Sequence, residues 1–232
     1  MKLNSQQIDQ LYAFTKQHFV EHYDLQTELV DHLANGIEQQ WSQNPNISFD
    51  EALSKEFKKF GIFGFSDIVE KRTRTLEKKY WKFLWKTFKT FFGIPKIIAT
   101  ICLIFTVFQI LILSNRFEYF LLIFILPLVY FIRQGYRNQK IYNKKTKIEG
   151  RKWLLEELIF SYGSGVLSLN LFVQILLNGR HTFGDEVIKT EYLFFMAILI
   201  SLFMILSYII IFHIPKRAEE YLKDHYPEYK FS

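Results

Sequence analysis

The 232-residue chain has one cysteine, Cys102, with only five prolines and ten glycines. A single thiol excludes an intramolecular disulfide scaffold, and so little glycine and proline excludes a collagen-like repeat. Also missing are a G-x-x-x-x-G-K-[ST] phosphate loop, a G-x-S-x-G nucleophile elbow and a C-x-x-C pair. Phosphate-loop nucleotide hydrolysis, serine hydrolysis at such an elbow and dithiol exchange therefore have no local signature. Met1–Tyr80 has no long apolar run, so no cleavable leader is expected there. Apolar and aromatic side chains are abundant, at 50% and 18% of the residues, which excludes a disordered polar chain.

Charge divides the chain in two. Residues 1–80 carry 10 basic and 12 acidic side chains, whereas residues 81–232 carry 19 and 11. The sign changes where four apolar runs begin, at Ile97–Leu113, Phe117–Ile132, Leu158–Leu177 and Tyr192–Ile214. A hydrocarbon core of about 30 Å takes about 20 helical residues. The two shorter runs extend through Gly93–Lys96 and Asn115–Arg116, where long basic side chains snorkel to the interface. Runs apolar all round, such as Leu122–Ile132, differ from the 3.6-residue stripe of a soluble helix. The expected fold is all-α, a small cytoplasmic helical head (1–77) followed by a four-helix transmembrane bundle (97–214). A basic amphipathic connector (78–96) joins them, and a cytoplasmic tail (215–232) follows.

Loop charge predicts the orientation. Arg133–Lys152 holds eight basic residues against Glu149 alone, and Lys78–Lys96 adds six lysines. The segments Ser114–Arg116 and Asn178–Glu191 contain only Arg116, Arg180 and Lys189 as basic residues. By the positive-inside rule both termini are cytoplasmic, as in a multi-pass protein of a bacterial inner membrane. Pro95 suits a first helical turn, Pro127 is expected to kink the second span and Pro215 to close the fourth. Trp81, Trp85, Trp153 and Tyr192 are expected at membrane interfaces.

Two stretches invite a specific role. Lys78, Lys82, Lys86 and Lys89 lie along one helical face, and Trp81, Trp85, Phe88 and Phe92 line another. Beside a span, that pattern reads as a helix on an anionic membrane surface, each lysine contributing about 1 kcal/mol; no nucleic-acid partner is expected. The third run is the most polar, with Ser161, Ser164, Ser168, Asn170 and Gln174. Its small pairs four apart let backbones approach, and Asn170 and Gln174 can meet Gln109 of the first run. Helix packing is the plain reading. A permeation path is the sharper one, although the four runs contain no deep intramembrane charge.

The head reads as helices near 5–20, 24–42, 49–60 and 66–90. Asn4-Ser-Gln-Gln7 and Ser48-Phe-Asp-Glu51 are capping-box patterns, Asp24 and Ser66 are further start signals, and Asn44-Pro45-Asn46 and Gly61 are stops. Apolar stripes on the second helix (Leu25, Leu29, Leu33, Ile37, Trp41) and the third (Ala52, Leu53, Phe57, Phe60) predict one small core.

The order Glu28-Leu-Val-Asp-His-Leu-Ala-Asn-Gly-Ile-Glu38, Ser48-Phe-Asp-Glu-Ala-Leu53, Phe60-Gly61 and Asp67-Ile-Val-Glu70 resembles the HAAS and permease-prefix group of bacterial helical domains. The resemblance covers about residues 5–75 and departs at Gly61-Ile-Phe-Gly-Phe65, where many relatives have a short polar turn. It implies a cytoplasmic helical domain ahead of membrane spans, of the kind often encoded beside PadR-type regulators or fused to permeases. It carries over no catalytic residue.

The one enzymatic pattern is His18-Phe-Val-Glu-His22, a match to the zinc-protease motif H-x-x-E-H. On a continuous helix its two imidazoles would share a face and Glu21 would serve as base. The alternative is a solvated face of charged pairs such as Glu28–His32. Cys102 reads as a packing or lipid-facing residue, and His181, Asp185 and Glu186 as loop polarity. The expected function is regulatory protein–protein contact by the head, without catalysis or cofactor. The alternatives are a transporter or transporter accessory and, third, a metal-dependent membrane enzyme.

Overall fold

The computed structural model describes residues 2–113, 117–162, 190–226 and 229, and is helical with no strand among them. The chain forms two compact units: Met1–Lys78 with Glu149–Glu157, and Lys79–Ile148 with Leu158–Ser232.

The first unit contains α1 (Ser5–Gln17), α2 (Tyr23–Gln43), α3 (Phe49–Lys58) and the first part of α4 (Ser66–Lys89). Both capping patterns act at helix starts. Asn4 accepts from the Gln7 amide at 2.8 Å while the Gln7 side chain accepts from the Asn4 amide at 3.0 Å. Ser48 accepts from the Glu51 amide at 3.2 Å. These bonds satisfy amide donors that the first helical turn leaves without partners. The Trp41 indole donates to the Ile47 carbonyl at 2.9 Å and closes the α2–α3 turn. Leu11, Leu25, Leu33, Ile37, Ala52 and Leu76 make a closed core; burying one such leucine contributes about 1.5–3 kcal/mol. Glu56 lies within this core, only 2% exposed, and binds the Gln40 amide and Lys59 ammonium, each at 2.6 Å. Gly36 makes the room: a Cβ there would stand 2.4 Å from the Glu56 carboxylate.

Two boundaries depart from the sequence reading. α1 ends at Gln17 and not near residue 20, because the chain turns at Phe19, whose φ is 64°. Asp24 is not an N-cap either: α2 begins after His22, and the Asp24 carboxylate accepts from the Leu154 amide at 3.2 Å. The unit also includes Glu149–Glu157, which lies outside the expected 1–77 head.

The second unit takes the rest of α4, a 3₁₀ turn at Thr90–Phe92, α5 (Lys96–Leu113) and α6 (Phe117–Glu149). It continues with the later part of α7 (Leu154–Tyr162), α8 (Thr190–Tyr208), a π-helical turn at Ile209–His213, a helical turn at Ile214–Lys216 and α9 (Ala218–His225). Among the described residues two helical stretches, Lys96–Leu113 and Thr190–Lys216, are long and apolar enough to cross a membrane. They pack through Val107 and Leu111 against Leu193, Ala197 and Ile200. Only 17% of the α5 stretch and 44% of the other is buried, whereas the core helix of a soluble protein is mostly buried. Ile98, Ile101, Phe105, Phe194 and Phe195 point outward instead.

The expected loop after residue 132 is helical. α6 runs through the basic segment to Glu149, with Pro127 inside it, and stops where Gly150 adopts φ 66°. Polar pairs four apart, Gln134–Asn138 and Gln139–Asn143, continue the helix past its apolar part. Asn138 also donates to the Ile211 carbonyl at 2.7 Å, in the π turn where the regular i→i−4 pattern is broken. Of the expected third span, only Leu158–Tyr162 lies within the described residues.

Candidate functional site

The H-x-x-E-H motif falls on the corner between α1 and α2, so its two imidazoles share no helical face. His18 caps α1: its Nδ1 donates to the Phe14 carbonyl at 2.9 Å, and its ring packs 4.4 Å from Phe57 and 4.2 Å from Phe14. His22 precedes α2 and places Nε2 3.0 Å from Glu157 Oε2. The intervening Val20 is buried, and its amide donates to the Thr15 carbonyl at 3.1 Å. One histidine thus belongs to an aromatic cluster and the other to a polar contact with a distant segment. Among the described residues no group of three or more His, Cys, Asp or Glu side chains is gathered to hold a metal ion.

The corner instead holds residues 149–157. Glu21 and Lys152 pair at 2.6 Å. The Tyr23 amide donates to the Lys152 carbonyl at 2.7 Å, and the Arg151 guanidinium lies 4.5 Å over the Tyr23 ring. Trp153 is 1% exposed and meets Tyr23 edge-on at 5.4 Å, while Leu154, Leu155 and Glu156 are also buried. The expected interfacial role of Trp153 is therefore corrected: its indole is a core residue of the first unit. Its sequence context, between a basic run and an apolar one, resembles a membrane anchor because both contexts place an amphipathic ring next to lysine and arginine.

These contacts bias the ionisable groups in known directions. The hydrogen bond from Lys152, with its charge, holds the Glu21 carboxyl below the usual 4.5. The same bond to Glu21 raises Lys152 above 10.5 against its partial desolvation. The hydrogen bond from His22 lowers Glu157 below 4.5, again against desolvation. With His22 protonated the His22–Glu157 contact is an ion pair; with neutral His22 the Nε2–H tautomer keeps a hydrogen bond.

Beside this corner a cleft of about 430 Å³ is lined by His18 and Phe19 and by one stripe of α4, including Ser66, Val69, Thr73 and Glu77. Its charged wall contains Glu70 and Arg74, which bind each other at 2.5 Å.

The residues expected at the membrane surface form one outward stripe. Lys78, Lys82, Lys86 and Lys89 are exposed, as are Trp81 (43%) and Trp85 (58%). Lys89 Nζ stands 5.6 Å from the Trp85 ring, whereas Tyr80, Leu84 and Thr87 turn inward. Burial raises the Tyr80 hydroxyl above its ordinary value. Of the expected polar packing set, Gln109 is half-buried in α5, and Ser161 is exposed and donates to the Leu158 carbonyl at 3.2 Å. Ser164, Ser168, Asn170 and Gln174 lie outside the described residues, as do His181, Asp185 and Glu186.

Sequence reasoning missed the inserted segment and the buried Glu56. Neither has a local signal, since each depends on a partner distant in sequence or on a glycine that leaves space. No family model, no curated protein and no solved structure matches the chain.

Proposed function

We propose that this chain is a multi-pass protein of a bacterial inner membrane, with four spans and both termini cytoplasmic. Its first unit is a regulatory head that acts by contact with a cytoplasmic protein or a second copy, and not by catalysis. The observation that carries the reading is the incorporation of Glu149–Glu157 into the first unit. In the proposed topology this segment lies between the second and third spans. The head is then tied to the membrane helices by three chain crossings, at Lys78–Lys79, Ile148–Glu149 and Glu157–Leu158. A partner that changes the packing of Trp153 or the Glu21–Lys152 pair can bias the spans without any chemical step. The two apolar helices support membrane insertion, and the exposed Lys–Trp stripe of α4 supports apposition to an anionic cytoplasmic leaflet. The likeness of residues 5–75 to HAAS and permease-prefix domains belongs with the same reading.

The test is in-cell crosslinking from the head of the full-length protein, with mass spectrometry of the attached chains. Recovery of a soluble regulator or of a second copy through the head supports the proposal. Recovery of permease subunits through the third span would move it to a transporter accessory.

A further inference from the structure

We propose that the end of the first unit where the α1–α2 and α3–α4 corners meet docks on a lipid bilayer, inserting Phe19, Ile62 and Phe63 at the interface. The proposal rests on the membrane reading above and adds a second, separate contact with lipid.

The α3–α4 turn is built to present apolar side chains. Gly61 (φ 79°) and Gly64 (φ 55°) both adopt the left-handed conformation that glycine takes without strain. Between them Ile62 is 99% and Phe63 70% exposed, while Phe65 just beyond is buried and anchors the turn. At the neighbouring corner Phe19 is 89% exposed and itself holds φ 64°, a conformation costly for an aromatic residue and offset by no burial of its ring. The two corners meet because His18 packs on Phe57 and Phe65, with ring centroids 4.4 and 5.9 Å apart. Three large apolar side chains thus project from one end of a unit whose remaining apolar stripes are closed into its core.

Shape and charge favour lipid over protein. The three side chains stand out at turn tips, whereas protein hot spots lie in well-packed pockets within a much larger surface. The exposed basic side chains beside them are three lysines, Lys16 in the last turn of α1, Lys58, and Lys59, which also binds Glu56, together with Arg74, which lines the cleft with Phe19 and binds Glu70. Lysine is depleted from protein interfaces and suits the headgroup level of an anionic membrane. The carboxylates on the adjoining face of α4 are Asp67, in its first turn, Glu70, which is engaged by Arg74, and Glu77, farther along the cleft.

The experiment uses full-length protein in nanodiscs of phosphatidylcholine and phosphatidylglycerol, with an environment-sensitive fluorophore on a single cysteine. One sample places it at Ile62→Cys in a Cys102→Ser background, a control at Asn46→Cys, and another on native Cys102. Nitroxide lipids are the quencher. The expected result is several-fold stronger quenching at position 62 than at position 46, reduced to the level of position 46 by Phe19→Gly with Phe63→Ser. Both substitutions are at exposed side chains, so the fold does not depend on them. Quenching at Cys102 without quenching at position 62 overturns the docking surface and leaves the membrane reading intact. Absence of quenching at Cys102 overturns the membrane reading. Shielding of position 62 that depends on protein-to-lipid ratio and not on nitroxide lipid would assign the patch to contact between copies and refute the proposal.

Discussion

Replacing Gly36 by alanine should destabilise the first unit, although alanine is the better helix former by about 1 kcal/mol. The added Cβ would stand 2.4 Å from Glu56 Cδ and Oε2 and 2.9 Å from Cγ. Glu56 is the end of a flexible side chain, but burial and its bonds to Gln40 and Lys59 leave it little room to retreat. Hydrogen bonds to a charged group contribute about 1.5–3 kcal/mol each, and the Lys59 bond is discounted because that ammonium is largely exposed. Weighed against the helix gain, a net loss of about 1–3 kcal/mol is expected for Gly36→Ala. In a Glu56→Ala background the new methyl meets no carboxylate, and the same substitution should stabilise by up to about 1 kcal/mol. The sign should therefore reverse, a coupling of about 1–4 kcal/mol. Hydrogen exchange of α2 and α3 amides in the full-length protein reads local stability in all four members of the cycle. Equal losses in both backgrounds, or a gain in the wild type, would refute the account of Gly36.

Trp153→Ala should cost about 3–5 kcal/mol locally, seen as loss of exchange protection at the Tyr23 amide while Leu11 in α1 stays protected; unchanged Tyr23 protection would contradict the assigned packing. Glu21 and Glu157 titrate below 4.5 when folded, so their contribution is complete above that pH and is lost as pH falls through the folded values. Tyr23 protection, corrected for intrinsic exchange, should accordingly fall as pH drops below the ordinary carboxylate range through the folded values, and be flat above that range. The raised Lys152 acts in the opposite direction, its contribution present below 10.5 and lost as pH rises through the folded value. Phe19→Gly should raise stability at the α1–α2 corner by up to about 1 kcal/mol, since it relieves a left-handed backbone and removes no burial; a lower melting temperature would show that the exposed ring is packed after all.

The head was legible where its information is local. Asn4 and Ser48 start helices because their side-chain oxygens reach amides three residues on, and the stripe from Leu25 to Trp41 is buried as its period requires. The end of α1 was not, because the turn is made by Phe19 and no glycine or proline marks it. α6 outran its apolar stretch because lipid length and helix length are different properties: hydropathy changes at Arg133, but no stop occurs before Gly150. The candidate site was the least legible part. His22 and Glu157 are far apart in sequence, and the motif that drew attention to His18 and His22 assumes a continuous helix through residues 18–22. The Ile62–Phe63 tip did leave a trace, as two apolar residues between glycines at the point of departure from the resembled family.

The topology tests the central claim most directly. In a Cys102→Ser background, single cysteines at Asn46, Lys140, Asp185 and Lys223 would be exposed to a membrane-impermeant maleimide, first in intact cells and then after lysis. The account predicts that only the Asp185 position reacts in intact cells, and that the other three react after lysis. Labelling of the Asn46 or Lys140 position from outside would contradict the proposed orientation, as would an Asp185 position that reacts only once the cells are broken.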